Sequence, residues 1–177
     1  MSKKSDYELL RSLPKQKLID LLLIQARNMF RVDGLYFLAV EEKFGTEKAI
    51  EIDEYCWRTM GAIEAREIKK FLGKSHFATA DVMEALRFTG WSLDQRDKDI
   101  QVDDGKGVFR VVRCRTQLTR IRRGLSEFAC KPVRHGYLKA FASELNPEIK
   151  VVCKMCPPDR HAENSWCEWE FRPKDRH

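Results

Sequence analysis

No stretch of this sequence approaches the roughly 18 consecutive apolar residues that a membrane-spanning helix needs. Runs such as Leu21–Ile24 are short enough to be the core stripe of an ordinary helix. The opening Met1-Ser2-Lys3-Lys4-Ser5-Asp6 lacks the apolar segment of a secretory signal, so the chain is expected to be cytoplasmic. Repeats and low-complexity segments are missing. So are a glycine-rich phosphate loop, a Gly-x-Ser-x-Gly elbow and a His-Glu-x-x-His pair, and with them three common signatures of nucleotide, ester and peptide hydrolysis. What remains has the balance of a globular protein. At 43% hydrophobic and 34% charged over 177 residues it is too apolar for disorder and large enough for one domain, with or without a helical extension.

The net charge of +6 is unevenly placed. Residues 1–100 carry 17 basic and 17 acidic side chains, leaving 16 of the 33 basic and 10 of the 27 acidic ones for the rest. The excess in the C-terminal part suggests an anionic ligand there, although +6 is a weak argument for nucleic acid.

Hydrophobic spacing divides the chain near residue 98. Residues 1–97 read as a helical region. Ser12-Leu13-Pro14 marks a start, and Leu18, Leu21, Leu22, Gln25 and Met29 keep helical spacing to an expected stop at Asp33-Gly34. A short helix from Leu35 to Phe44, a longer one from Thr46 to Gly73 and one from Thr79 to Phe88 follow. Residues 98–177 read as an α+β region. A hairpin turns at Asp103–Gly107 between Asp99–Val102 and Val108–Cys114. Arg115–Arg123 is a basic helix, and another helix follows Cys130. Ile149–Cys153 and Trp166–Phe171 alternate as strands. The expected fold is α+β, a helical N-terminal half packed on a small antiparallel sheet with flanking helices, the two regions forming one compact unit.

The chemistry concentrates in the cysteines. A reducing compartment disfavours disulfides, so clustered thiols point to metal ligands, reactive groups or core residues. On the last strand Cys167, Trp169 and Phe171 share the core face; on the preceding one Ile149, Val151 and Cys153 share a face. Pairing these strands brings Cys153 near Cys167, with Cys156 in the loop beyond. Cys130 arrives at a helix N-terminus, whose free N–H groups favour a thiolate. Cys130, Cys153, Cys156 and Cys167 together suit one tetrahedral structural zinc, with His161 and Glu127 as reserve ligands. Iron or an iron–sulfur cluster is the alternative for four thiolates. The competing reading makes Cys130 and Cys167 small buried hydrophobes. Cys56 and Cys114 read as core fillers.

The segments Cys130-Lys-Pro-Val-Arg-His-Gly136-Tyr137, Val151-Val-Cys153-Lys-Met-Cys156 and Cys167-Glu-Trp-Glu-Phe171 resemble the 4-vinyl reductase domain, a small-molecule-binding α+β module. That resemblance implies zinc held by Cys130, Cys156 and Cys167. Cys153 stands where the module commonly has an acidic residue, which leaves the fourth ligand open. The segment Arg31–Glu42 with Trp57 and Glu64 resembles a prokaryotic family related to the L-2-amino-thiazoline-4-carboxylic acid hydrolases. That implies a hydrolase of a small cyclic C–N or C–S substrate as the alternative function, without a catalytic set to carry over.

Elsewhere, Asp33, Glu41 and Glu64 in the helical half would need Arg27, Arg31 or a ligand if they face inward; a solvated face is the competing reading. Trp57, His135 and Tyr137 complete the candidate ligand-binding set, against core packing for Trp57 and a surface or capping role for His135. Arg113, Arg115, Arg120, Arg122 and Arg123 either hold a carboxylate or phosphate or form an exposed helix face. The leading expectation is a small-molecule-binding protein with a structural zinc. Its cavity is expected between the helices carrying Asp33, Glu41 and Trp57 and the sheet face carrying Val112, Val151 and Trp169. The ligand is expected to be anionic or aromatic. Nucleic acid and membrane are not expected as partners, and a homodimer stays open.

Overall fold

The structure is a computed structural model that describes residues 5–175; Met1–Lys4, the start of the segment read above for a signal peptide, lie outside the described residues. The fold is α+β. Among the described residues there are seven helices and a four-stranded antiparallel sheet, and no helix is long and apolar enough to cross a membrane.

A short helix α1 (Asp6–Arg11) opens with a capping box between Ser5 and Glu8. Helix α2 (Lys15–Phe44) then runs straight through Asp33-Gly34, where the sequence predicts a stop. A helical glycine costs only about 1 kcal/mol, less than the burial of Phe30 and Phe37 on its two sides returns. Gly45, at φ 84°, separates α2 from α3 (Thr46–Leu72), and Gly73, at φ 62°, ends α3 in the left-handed region open to glycine. Helix α4 (Thr79–Leu86) is followed by α5 (Gly90–Asp94), a single turn that the hydrophobic spacing does not announce. It is opened by Thr89, whose hydroxyl accepts from the Ser92 N–H.

Strands β1 (Lys98–Asp103) and β2 (Lys106–Val111) form the expected hairpin. Asp104 and Gly105, both at positive φ, make the two-residue turn that matches strand twist. Helix α6 (Arg115–Arg122) is stopped by Gly124, and α7 (Lys131–Leu145) starts with Pro132 in its first turn. Strands β3 (Ile149–Met155) and β4 (Cys167–Pro173) complete a sheet of order β1-β2-β4-β3.

The sheet turns Phe109, Val111, Val151, Cys167, Trp169 and Phe171 toward the helices. Helix α7 covers that face, α3 packs on α7, and α2 packs on α3. A chain of ring contacts runs through the stack. Phe30 stacks on Trp57 at 5.0 Å, Trp57 meets Tyr137 edge-on at 5.6 Å, Tyr137 meets Trp91 at 6.3 Å, and Trp91 stacks on Phe109 at 4.5 Å. The space between sheet and helices is therefore filled: Phe109, Tyr137, Phe141 and Trp169 have no exposed surface. The cavity described below lies elsewhere, against α2 and α3.

Candidate functional site

At the centre of the helical layers sits Arg134, a buried guanidinium on the first turn of α7. It lies over the faces of Trp91 at 4.4 Å, Tyr137 at 5.1 Å and Trp57 at 5.3 Å. Rings offer a cation their negative faces but cannot neutralise it, and its Nη1 has no hydrogen-bond partner. The compensating charge comes from Asp33 on α2 and Asp53 on α3, which hydrogen-bond one another and lie in the field of Arg134. Trp57 Nε1 donates to Asp33 at 2.9 Å. Burial pushes both carboxyls up, and Asp53 is raised further by Asp33, to about 8. Two carboxylates beside one guanidinium would leave an uncompensated buried negative charge. One shared proton brings the trio to neutrality.

The pair is partly buried and forms the inner wall of a cavity of about 360 Å³ between α2, α3, α6 and the segment before α7. Phe30, Leu35, Phe37, Leu38 and Phe128 make its apolar sides, and Arg31, Arg115, Arg120 and Arg123 stand around it with Thr116 and Thr119. Apolar walls with a few convergent polar groups are the usual form of a small-molecule site.

The sequence-predicted residues divide around this cavity. Asp33 lines it, with Trp57 behind holding its carboxyl. Glu41 is held bidentately by Arg120, at 2.8 and 2.9 Å, which keeps its carboxyl below the usual range. One of the arginines expected to bind a ligand carboxylate therefore binds an internal one. Glu64 lies deeper, accepting from the Tyr137 hydroxyl at 2.7 Å and from the Gly90 N–H at 2.8 Å; burial first, then Glu64, holds the Tyr137 phenol protonated. Both are removed from the cavity lining. His135 faces the sheet, stacking on Trp169 at 5.9 Å with Nε2 3.4 Å from the Val151 carbonyl. Asp53 and Arg134 are missed by the sequence reading. Asp53 sits in the charged run Glu51–Glu54 and Arg134 in the basic run Lys131–His135, where nothing local marks either as buried. The available signal was spacing: Asp53 and Trp57, like Cys130 and Arg134, are four apart on one helix face.

The thiols gather on the far side of Arg134. Cys156, buried in the loop after β3, interacts with both Cys130 and Cys167. Those two interactions and burial push the Cys156 thiol far up. Cys130, at the N-terminus of α7, is lowered by its contact with Cys156 against the cost of burial, with help from Arg134. Cys153 pairs opposite Trp169 in the β3–β4 register, just before a bulge, and is pushed up to about 11, chiefly by burial. Cys114 is pushed up to about 12 by burial, while Cys56 is exposed on α3 rather than a core filler. Among the described residues no set of three or more His, Cys, Asp or Glu side chains is arranged to hold a metal ion. The reserve ligands are turned to each other, His161 Nε2 standing 3.1 Å from Glu127, with the imidazole against Trp166 at 4.4 Å.

A family model described as a family of unknown function (DUF6125) matches residues 11–172. No curated protein and no solved structure matches the chain.

Proposed function

We propose, for a chain that belongs to the DUF6125 family, that it is a cytoplasmic small-molecule-binding protein whose ligand enters the α2–α3–α6 cavity. The observation that carries this reading is the Asp33–Asp53 pair on the inner wall of an apolar-sided cavity with arginines around it. Such a site suits a heterocyclic acid. A ring N–H or amine donates to the carboxyl pair, the ring lies between Phe30, Phe37 and Phe128, and the acidic group meets Arg31, Arg115 and Arg123.

A second reading, a hydrolase of a small cyclic C–N or C–S substrate, draws on the same pair. Two carboxyls with one proton between them can donate to one substrate atom and accept from another. No cysteine lines the cavity among the described residues, so this reading uses carboxyls rather than a thiolate.

The thiol trio supports a structural role in either case. A zinc held by Cys130, Cys153, Cys156 and Cys167 would give about one metal ion per chain in elemental analysis of protein purified without chelator; a metal content near zero would leave the thiols as packing groups.

A thermal-shift screen of heterocyclic carboxylates tests the binding reading. Hits are expected to raise the melting temperature of wild type, with Asp53→Asn and Arg123→Gln each reducing the affinity by about tenfold. Hits insensitive to both substitutions would overturn the cavity assignment. Product formation from a hit, abolished by Asp53→Asn with binding retained, would select the hydrolase.

A further inference from the structure

Beside the cavity lies a second cleft of about 180 Å³, whose lining carries five arginines and two aspartates. Its floor is Asp94, a side chain with no exposed surface. Arg27 Nε meets one carboxylate oxygen at 2.5 Å, and Arg115 meets the other at 2.9 and 2.7 Å. Asp94 thus fixes two guanidinium groups from different helices. Arg96, Arg113 and Arg122 line the same cleft from three other places in the chain. Among the described residues none of the three makes a side-chain ion pair or hydrogen bond.

An isolated surface arginine without a partner is ordinary. Three of them converging on a cleft that already holds an arginine pair is a different arrangement. Five cations against Asp94 and Asp97 leave an excess of three positive charges in a small concavity, a field that draws an anion. The charge of one carboxylate is balanced by a single bidentate arginine, as that of Glu41 is by Arg120. Guanidinium groups approaching from several directions match the three oxygens and two charges of a phosphate better.

The cleft adjoins the cavity. Arg115 lines both, and a third concavity, lined by Asp20, Leu23, Ile24, Arg27, Arg31 and Arg96, shares Arg31 with the cavity and Arg27 and Arg96 with the cleft. We propose that this cleft is a phosphate subsite, and that the ligand of the neighbouring cavity is a phosphomonoester whose ring lies in the cavity and whose phosphate reaches Arg96, Arg113 and Arg122. The proposal rests on the cavity reading above, and names its ligand class.

Titration of the full chain with inorganic phosphate, phenyl phosphate and benzoate at constant ionic strength tests it, using wild type, Arg113→Gln/Arg122→Gln and Asp53→Asn. Melting curves confirm that the variants fold. The expected result has three parts. Inorganic phosphate binds saturably to wild type. Phenyl phosphate binds at least tenfold tighter than either phosphate or benzoate. The double arginine variant loses at least tenfold in affinity for both phosphates while binding benzoate as wild type does. Benzoate binding that survives while phosphate shows no saturation, or is insensitive to the double variant, overturns the subsite and leaves the cavity reading standing. Loss of all benzoate binding overturns the cavity reading, whereas phosphate binding sensitive to the double variant would still sustain the subsite alone. A single-stranded oligonucleotide bound more tightly than phenyl phosphate, with the same arginine dependence, overturns the small-ligand proposal in favour of nucleic acid.

Discussion

Asp53 titrates between two environments, and the sign of its effect on stability follows. In the unfolded chain an aspartate releases its proton near about 3.9; in the folded protein burial and Asp33 hold it to about 8. Between those values the folded state keeps a proton that the unfolded state has lost, so rising pH favours unfolding. The associated stability is full below the unfolded value and is lost as pH passes through about 8, with a slope of up to about 1.4 kcal/mol per pH unit. Asp53→Asn removes the titrating group, so its melting temperature is expected to fall less than that of wild type between about pH 5 and about pH 8. Parallel pH profiles would show that the pair does not share a proton. A second test at this scale concerns the thiols. Cys167 is buried against Cys156 on the core face of β4, whereas Cys56 is exposed. Cys167→Ser places a more polar group there and is expected to cost about 1–3 kcal/mol; Cys56→Ser should stay within about 0.5 kcal/mol. Denaturant melts of both, with and without chelator, check this. A chelator that brings wild type down to the serine variant would mean that the trio holds an ion. Spacing and strand alternation group Cys130, Cys153, Cys156 and Cys167 as four, whereas the structure sets Cys156 against Cys130 and Cys167 and pairs Cys153 opposite Trp169. Arg134 was not legible in the sequence, since nothing local distinguishes a basic residue caged by Trp57, Trp91 and Tyr137 from one in water.

The helices owe their approach to two glycines. A Cβ on Gly61 would lie 2.5 Å from the Tyr137 carbonyl oxygen, a backbone atom that moves only if α7 moves. A Cβ on Gly136 would lie 2.6 Å from a carboxylate oxygen of Glu54, the end of a flexible side chain held only by Arg58 at 3.0 Å. Gly34 has nothing within 4 Å. Gly61→Ala is therefore expected to destabilise by about 1–3 kcal/mol through overpacking, and Gly136→Ala by much less. Gly34→Ala is expected to stabilise by up to about 1 kcal/mol, because alanine is the better helix former. Urea unfolding of the three variants reads the order directly; a Gly34→Ala as costly as Gly61→Ala would contradict this account of α2. The same residues explain what the sequence showed at this scale. The hairpin of β1 and β2, the basic helix α6 and the alternation of β4 are written in local patterns of period two or in turn residues. The continuity of α2 is not, since Asp33-Gly34 carries the local chemistry of a stop and is overridden by the packing of Phe30 on Trp57 and Phe37 on Phe128. The single turn α5 rests on the Thr89 cap and on Trp91, whose burial against Phe109 is a long-range contact.

Across the whole molecule, the change of pattern near residue 98 is a change of secondary structure and not a seam in the core. Helix α3 from the first part packs on α7 from the second, and α7 covers the sheet. The ring contacts from Phe30 to Phe109 cross between the two parts three times. Arg134 from the second part is neutralised by Asp33 and Asp53 from the first, and the Tyr137 hydroxyl donates to Glu64 of the first. Residues 98–177 alone would leave Arg134 without its carboxylates and the α3-facing side of Tyr137 in water. Each of those losses is worth several kcal/mol, against a total stability of about 5–15 kcal/mol for a domain. The chain is therefore expected to unfold in one cooperative step, with far-UV circular dichroism and tryptophan fluorescence giving coincident melting curves. The fragment 98–177 is expected to show no cooperative transition when produced alone. Restoring residues 5–97 as a separate chain should recover folding only to the extent that α3 docks on α7, and Gly61→Ala in that chain should weaken the recovery. Two separated transitions in the full chain, or a fragment 98–177 that melts cooperatively, would place the boundary of stability where the pattern of the sequence changes.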